Sequence, residues 1–169
     1  MIFRSFLCYV GPVYALKSRR VIDEVEGAKI GNRSHVVFKP DGDTRDSRER
    51  LVTHGDVWYP LAPVHVYSVD EVLERGLPFD DVIIDEGQFF PPELAGALAA
   101  LHAQGKRVVF AGLDVDWRGR PWLTTANVLA LPEAHIIRLR GTCANCGSDS
   151  ASRSQKLAPD HTVVPYDAA

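Results

Sequence analysis

Two adjacent carboxylates, Asp85 and Glu86, close an apolar run in the segment DVIIDEGQFF, Asp81 to Phe90. Val82, Ile83 and Ile84 follow one another without alternation, the pattern of a strand buried on both faces of a parallel sheet. Acids at the carboxyl end of such a strand stand at the edge where open α/β sheets bind ligands. One acid there can hold Mg²⁺ or its water, as nucleotide enzymes of the phosphate-loop kind require, and Asp85 fits that need. Glu86, one residue on and pointing away, is free to act as general base towards a hydroxyl. An ordinary strand followed by a solvated acidic turn would read the same from these residues alone.

Three other groups carry chemistry. Gly11 to Ser18, GPVYALKS, lies between an expected strand and an expected helix, where a phosphate-binding loop belongs. The pattern G-x-x-x-x-G-K-S/T supplies backbone N–H groups for phosphates, a lysine for the terminal phosphates and a hydroxyl for Mg²⁺. Gly11, Lys17 and Ser18 hold their places, but Leu16 stands at the second glycine. A leucine is compatible only if the loop's dihedrals suit it and its side chain turns aside. Cys143-Ala-Asn-Cys146-Gly has the form of half a zinc knuckle. Tetrahedral zinc needs four ligands, and Asp160 and His161 are the plausible downstream donors; two free thiols in a turn is the plainer reading. Asp114 to Trp122, DVDWRGRPW, sets aromatics beside arginines in a glycine-containing loop, which can cover a planar ligand such as a base or simply pack as a surface loop.

The elements needed to position these groups alternate along the chain. Strands are expected at Phe3 to Val10, His35 to Phe38, Val64 to Val69, Val82 to Ile84, Arg107 to Ala111 and His135 to Leu139. Helices are expected over Leu16 to Ile30, from a Ser68 cap to Arg75, Pro92 to Gln104 and Thr124 to Leu131. This order predicts an α/β fold, a parallel sheet with right-handed crossovers and flanking helices. Asp41 to Arg50 is densely charged and reads as an exposed loop. From Gly141 the core-building residues nearly stop. The expected division is therefore an α/β body over 1–140 and a small cysteine-containing module over 141–169.

Composition narrows the classes. The 169 residues suit one domain with a small appendage, and 46% hydrophobic with 24% charged residues is ordinary globular composition. A formal net charge of −3 leaves no basic field to hold nucleic acid by its phosphates. No apolar run reaches the length of a membrane span. MIFRSFLCYV has neither a charged n-region nor a small-residue cleavage site, so it reads as a core strand rather than a signal peptide. Three cysteines do not make a disulfide framework, and a cytoplasmic setting is expected.

Taken in order, the motifs resemble the thymidine kinase family found in bacteria, animals and large DNA viruses. GPVYALKS resembles the family loop GPMFSGKT or GPMFSGKS. VFKPDGDTR at Val37 to Arg45 is similar to its KP…DxR segment, and Val52-Thr53-His54-Gly55 to its V-x-S-H-G. IDEGQFF at Ile84 to Phe90 matches throughout. GKRVVFAGLDVDWRGRPW at Gly105 to Trp122 follows G-K-x-V-I-x-A-G-L-D-x-D-F-R-G-x-P-F, and CANCG with ASRSQKL follows C-x-x-C-G…A-T-R-T-Q-R-L. The likeness runs from about Phe6 to Val164.

The resemblance implies a P-loop NTPase-like fold and ATP-dependent phosphorylation of a deoxynucleoside 5′-hydroxyl, thymidine first, in nucleotide salvage for DNA synthesis. By position it implies that Gly11, Pro12, Val13, Tyr14, Ala15, Leu16, Lys17 and Ser18 surround the ATP phosphates. Ser18 and Asp85 would organise Mg²⁺, and Glu86 would be the base. Arg45 would approach the transferred phosphoryl group with Asp43 nearby. Phe89, Leu113, Trp117 and Val13 would line the base pocket, with Tyr166 as the lasso tyrosine. It further implies a homotetramer, structural zinc at Cys143 and Cys146, and feedback inhibition by the triphosphate product. The chain departs from the pattern at Leu16, Ala15 and Asp46, in the missing glycine pair of the lasso, and in the missing second cysteine pair. The alternative these departures leave open is a catalytically impaired relative that binds a nucleotide or a protein.

Overall fold

A computed structural model describes residues 4–41, 51–52, 58–59, 63–66, 68–159 and 162. The elements run β1 (Phe6–Val10), α1 (Lys17–Ile30), β2 (His35–Pro40), β3 (Leu51–Val52), β4 (Trp58–Tyr59), β5 (Val64–Val66), α2 (Val69–Gly76), β6 (Asp81–Ile84), a 3-10 turn (Gly87–Phe89), α3 (Leu94–Ala103), β7 (Arg107–Gly112), α4 (Leu123–Leu129) and β8 (Ala134–Arg138). Six strands form one sheet in the order β5-β2-β6-β7-β1-β8, and every neighbouring pair is parallel. β3 and β4 pair antiparallel as a separate ribbon, which the strand pattern did not anticipate.

The unbroken apolar strands are explained by helices on both faces. Alternate residues of each central strand serve two cores. Phe6, Cys8 and Val10 of β1, Val82 and Ile84 of β6, and Val108 and Phe110 of β7 join Leu94, Leu98 and Leu101 of α3 and Val128 of α4. Tyr9, Ile83, Val109 and Ala111 meet Val21 and Val25 of α1 on the opposite face. The helix calculus of the sequence holds at α2, where the Ser68 hydroxyl accepts the Glu71 N–H at 3.2 Å as an N-cap. α3 begins two residues later than the sequence suggests, because Pro91 and Pro92 form the turn that precedes it. Pro40 ends β2 from within, paired with Val66 across the sheet, where its missing N–H costs no interior ladder bond.

Because all six strands are parallel, β1 and β6 end on the same edge with only β7 between them. That places the loop after β1 and the acids after β6 on one rim.

Candidate functional site

The loop leaves β1 at Gly11, where any side chain would bring a Cβ to 2.5 Å from the Leu139 carbonyl oxygen. Ala15 N–H donates to the Pro12 carbonyl at 3.3 Å and closes a turn. Two residues then adopt left-handed backbone conformations, Tyr14 at φ 61° and Leu16 at φ 57°. Such a conformation costs a non-glycine residue about 1–2 kcal/mol, and it is the conformation glycine would supply freely. Leu16 meets the backbone condition set by the sequence: its ψ of 33° completes a left-handed turn into α1. The residue is 65% exposed. Lys17 folds back so that Nζ donates to the Pro12 carbonyl at 2.6 Å, and Ser18 follows in the first turn of α1.

At the end of β6, Asp85 N–H donates to the Phe38 carbonyl at 3.0 Å, which carries the sheet ladder one residue past the strand. Its carboxylate is buried. Oδ1 accepts the Glu86 N–H at 3.0 Å. Oδ2 lies 3.4 Å from Lys39 Nζ and has no hydrogen-bond partner among the described residues. Lys39 is only 1% exposed. Burial pushes the Asp85 carboxyl up to about 6, while the charge of Lys39 acts in the opposite sense. A buried carboxylate oxygen with an open lone pair is a hard donor suited to Mg²⁺, which usually takes one or two carboxylates together with substrate phosphates. The residues present therefore fit that ion.

Glu86 turns left-handed at φ 54°, so its direction is set by this turn and not by strand alternation. Gln88 fixes it. Gln88 Nε2 donates to Glu86 Oε2 at 2.6 Å, and Gln88 Oε1 accepts the Leu113 N–H at 2.9 Å. One buried amide thus joins the exit of β6 to the exit of β7.

The aromatic side of the site gathers on α4. The Thr124 hydroxyl donates to the Phe90 carbonyl, and the Thr125 hydroxyl donates to the Leu113 carbonyl at 2.8 Å. Phe89, 45% exposed, meets Trp122 edge to face with ring centroids 5.5 Å apart. The Trp122 indole nitrogen is buried and has no hydrogen-bond partner among the described residues. In the DVDWRGR turn, Asp116 Oδ1 accepts the backbone N–H groups of Arg118 and Arg120 at 2.8 and 2.9 Å. Trp117 carries cations against its ring, with Arg118 Cζ at 4.7 Å and Lys156 Nζ at 5.4 Å from the centroid.

The cysteines sit apart, in a turn on the C-terminal segment. Cys143 N–H donates to the Ser148 carbonyl at 2.7 Å, and Gly147 N–H donates to the Cys143 carbonyl at 2.9 Å. The amides of Cys146 and Asn145 face the Cys143 sulfur and lower its pKa. This is knuckle-like, yet the described residues contain no group of three or more His, Cys, Asp or Glu able to hold a metal. Two thiols are half of a tetrahedral set, so the described donors do not fit zinc. Asp160 and His161 lie outside the described residues, as do Asp43, Arg45, Asp46 and Tyr166.

The structure thus brings Asp85 and Glu86 to the same rim as the loop from Gly11 to Ser18, and sets Phe89, Leu113, Trp117 and Trp122 along the exits of β6 and β7. Three contributors were missed in the sequence. Lys39 passed as part of a KP dipeptide, Gln88 as a filler of IDEGQFF, and Trp122 as one end of a motif. The available signal was a polar residue closing or following an apolar strand, which at a sheet rim is more often placed than incidental.

Fold and site together define a phosphate-loop α/β protein with a paired-acid strand end, the class to which nucleotide-dependent kinases belong. Comparison with known proteins takes this further. The Thymidine kinase family profile matches residues 5–166. A curated thymidine kinase from Pyrobaculum aerophilum is 37% identical over 160 residues, spanning 90% of this chain and 85% of that protein. Among solved structures, the genome packaging NTPase B204 of Sulfolobus turreted icosahedral virus 2, in complex with ATP-gammaS, aligns with a TM-score of 0.42 at 18% identity, over 68% of this chain and 67% of that one. The chain belongs to the thymidine kinase family and is a kinase of that family.

Proposed function

We propose that the protein transfers the γ-phosphoryl group of ATP to the 5′-hydroxyl of thymidine. The observation that carries this reading is the conformation of Leu16. The missing glycine was, together with the shortened lasso, a reason to suspect an impaired relative, and the backbone at Leu16 already has the glycine-type turn. The acid pair is also supported from behind, Asp85 by Lys39 and Glu86 by Gln88.

In this reading the loop amides and Lys17 hold the ATP phosphates, an arrangement for which Lys17 is already drawn over the loop. Ser18 and Asp85 would hold Mg²⁺, which when bound neutralises phosphate charge. Glu86 accepts the proton of the 5′-hydroxyl as that oxygen bonds to the γ-phosphorus. The bond from phosphorus to the β–γ bridging oxygen breaks, and ADP departs with that electron pair. Phe89, Leu113, Val13, Trp117 and Trp122 would enclose the base. Arg45 and Tyr166 keep the roles implied by resemblance, as do a homotetrameric assembly and a cytoplasmic location; among the described residues no helix is long and apolar enough to cross a membrane.

The test is production of thymidine monophosphate from thymidine, ATP and Mg²⁺, with other deoxynucleosides in parallel. Glu86→Gln should lower turnover by about 10²–10⁴-fold, the range for losing a general base. Leu16→Gly should change the KM for ATP by less than about threefold, because that change alters strain more than shape. A steep gain in ATP affinity would show that the natural loop is impaired, and no phosphorylation of any deoxynucleoside would overturn the reading.

A further inference from the structure

The strained loop is held from outside by the C-terminal segment, at two consecutive residues, Val13 and Tyr14. The Val13 N–H donates to the Ser154 hydroxyl at 3.0 Å. The Tyr14 carbonyl accepts the Thr142 N–H at 3.3 Å. These two bonds bracket Tyr14, one of the loop's left-handed non-glycine residues. Both anchors belong to one unit. Gly141 and Ala151 exchange backbone hydrogen bonds at 2.8 and 3.0 Å, so the segments carrying Thr142 and Ser154 form a short antiparallel ribbon with the Cys143–Cys146 turn at its tip. The ribbon lies flush on the loop. A Cβ at Gly141 would come within 2.8 Å of the Val13 carbonyl oxygen. Its base is continuous with the sheet, since Leu139 N–H donates to the Val10 carbonyl at 2.7 Å.

A loop with glycines reaches its phosphate-binding shape at little steric cost. This one carries a leucine and a tyrosine in left-handed conformations, and such residues persist only where surrounding structure over-determines them. The ribbon supplies that constraint. We infer that Ser154 is a positioning residue for the phosphate loop. Its hydroxyl locks the Val13 peptide and thereby lets the cysteine-containing ribbon hold Tyr14 in its turn. The link to nucleotide affinity rests on the phosphate-loop reading above; the clamp itself does not.

Ser154→Ala and Ser154→Thr test it, each compared with the unaltered protein in two measurements. The first is amide hydrogen–deuterium exchange of the peptide spanning residues 11–16, without nucleotide. The second is calorimetric binding of ATP-gammaS with Mg²⁺. Ser154→Ala should speed exchange in that peptide and weaken ATP-gammaS by about three- to tenfold, the span of one lost hydrogen bond. Ser154→Thr, which keeps the hydroxyl, should restore both, and melting temperatures should show all three chains folded. Unchanged loop exchange in Ser154→Ala, or no recovery in Ser154→Thr, overturns the clamp. If the unaltered protein fails to bind ATP-gammaS, the nucleotide reading falls while the exchange experiment still decides the clamp.

Discussion

Strand β6 has an aspartate at each end of its apolar run, and the two are held in opposite ways. Asp81, at the entry, is fully buried and surrounded by arginines. Arg33 Nε lies 3.0 Å from Oδ1 and 3.1 Å from Oδ2, Arg107 Nη1 lies 3.4 Å from Oδ2, and Arg4 Nη1 lies 3.6 Å from Oδ1. Arg107 also reaches Glu24 of α1 at 2.6 Å, and Glu24 accepts the Tyr9 hydroxyl at 2.5 Å. These charges tie β1, β6, β7, α1 and the turn before β2 together at the rim away from the site. Asp85, at the exit, is equally buried but meets one lysine at 3.4 Å and keeps an oxygen with no hydrogen bond among the described residues. Asp81 has its acceptor capacity filled by the protein, as a structural carboxylate should. Among the described residues Asp85 is left partly unsatisfied, a condition that costs stability and that proteins tolerate where a ligand completes the set.

Three experiments bear on this contrast. The largest expected effect is on turnover. Replacing Lys39 and Asp85 together by Met and Asn should lower phosphoryl transfer by about 10²–10⁴-fold, as for other members of a catalytic constellation. The melting temperature should hold or rise, because exchanging a buried ion pair for uncharged residues is often neutral or stabilising. A large fall in melting temperature would place Asp85 with Asp81 among structural groups. Next, Lys39→Met alone strands a buried carboxylate and should cost about 3 kcal/mol at pH 8 in urea unfolding. The sign follows from the raised Asp85 pKa. A carboxyl that titrates higher folded than unfolded imposes a penalty above its folded value, and the penalty fades as pH falls towards its unfolded value. The Lys39→Met deficit should therefore shrink from pH 8 to below about 6; a deficit independent of pH would remove Asp85 from the explanation. The smallest effect belongs to the other rim. Arg33→Gln leaves Arg4 and Arg107 beside Asp81 and should cost only about 1 kcal/mol in the same measurement, the scale of a partly exposed ion pair. A cost equal to that of Lys39→Met would erase the distinction between one counter-ion and three.

Much of the fold could be read from the chain because its signals were local. Apolar runs such as Val82 to Ile84 and Val108 to Ala111 announced buried parallel strands, and Ser68 announced the start of α2. The ribbon of β3 and β4 was not legible, since two-residue strands carry no periodicity. The candidate site was legible where its residues are adjacent in sequence, as in Asp85-Glu86 and Lys17-Ser18. It was illegible where the partner is distant. Nothing near Lys39 points to Asp85, nothing in IDEGQFF shows that Gln88 reaches Leu113, and nothing near Val13 points to Ser154, which lies far along the chain.

Residue types and their order were enough to name the candidate groups and to place them on one sheet edge, because parallel strands align their carboxyl ends whatever the details of packing. The surroundings of those groups were decided by tertiary structure. Among the described residues, burial left Asp85 with one counter-ion and gave Asp81 three, and the C-terminal ribbon bears on a loop whose leucine takes the place of a glycine. Both outcomes depend on long-range contacts that desolvate a charge or clamp a backbone dihedral, and neither quantity is a property of a residue and its neighbours alone.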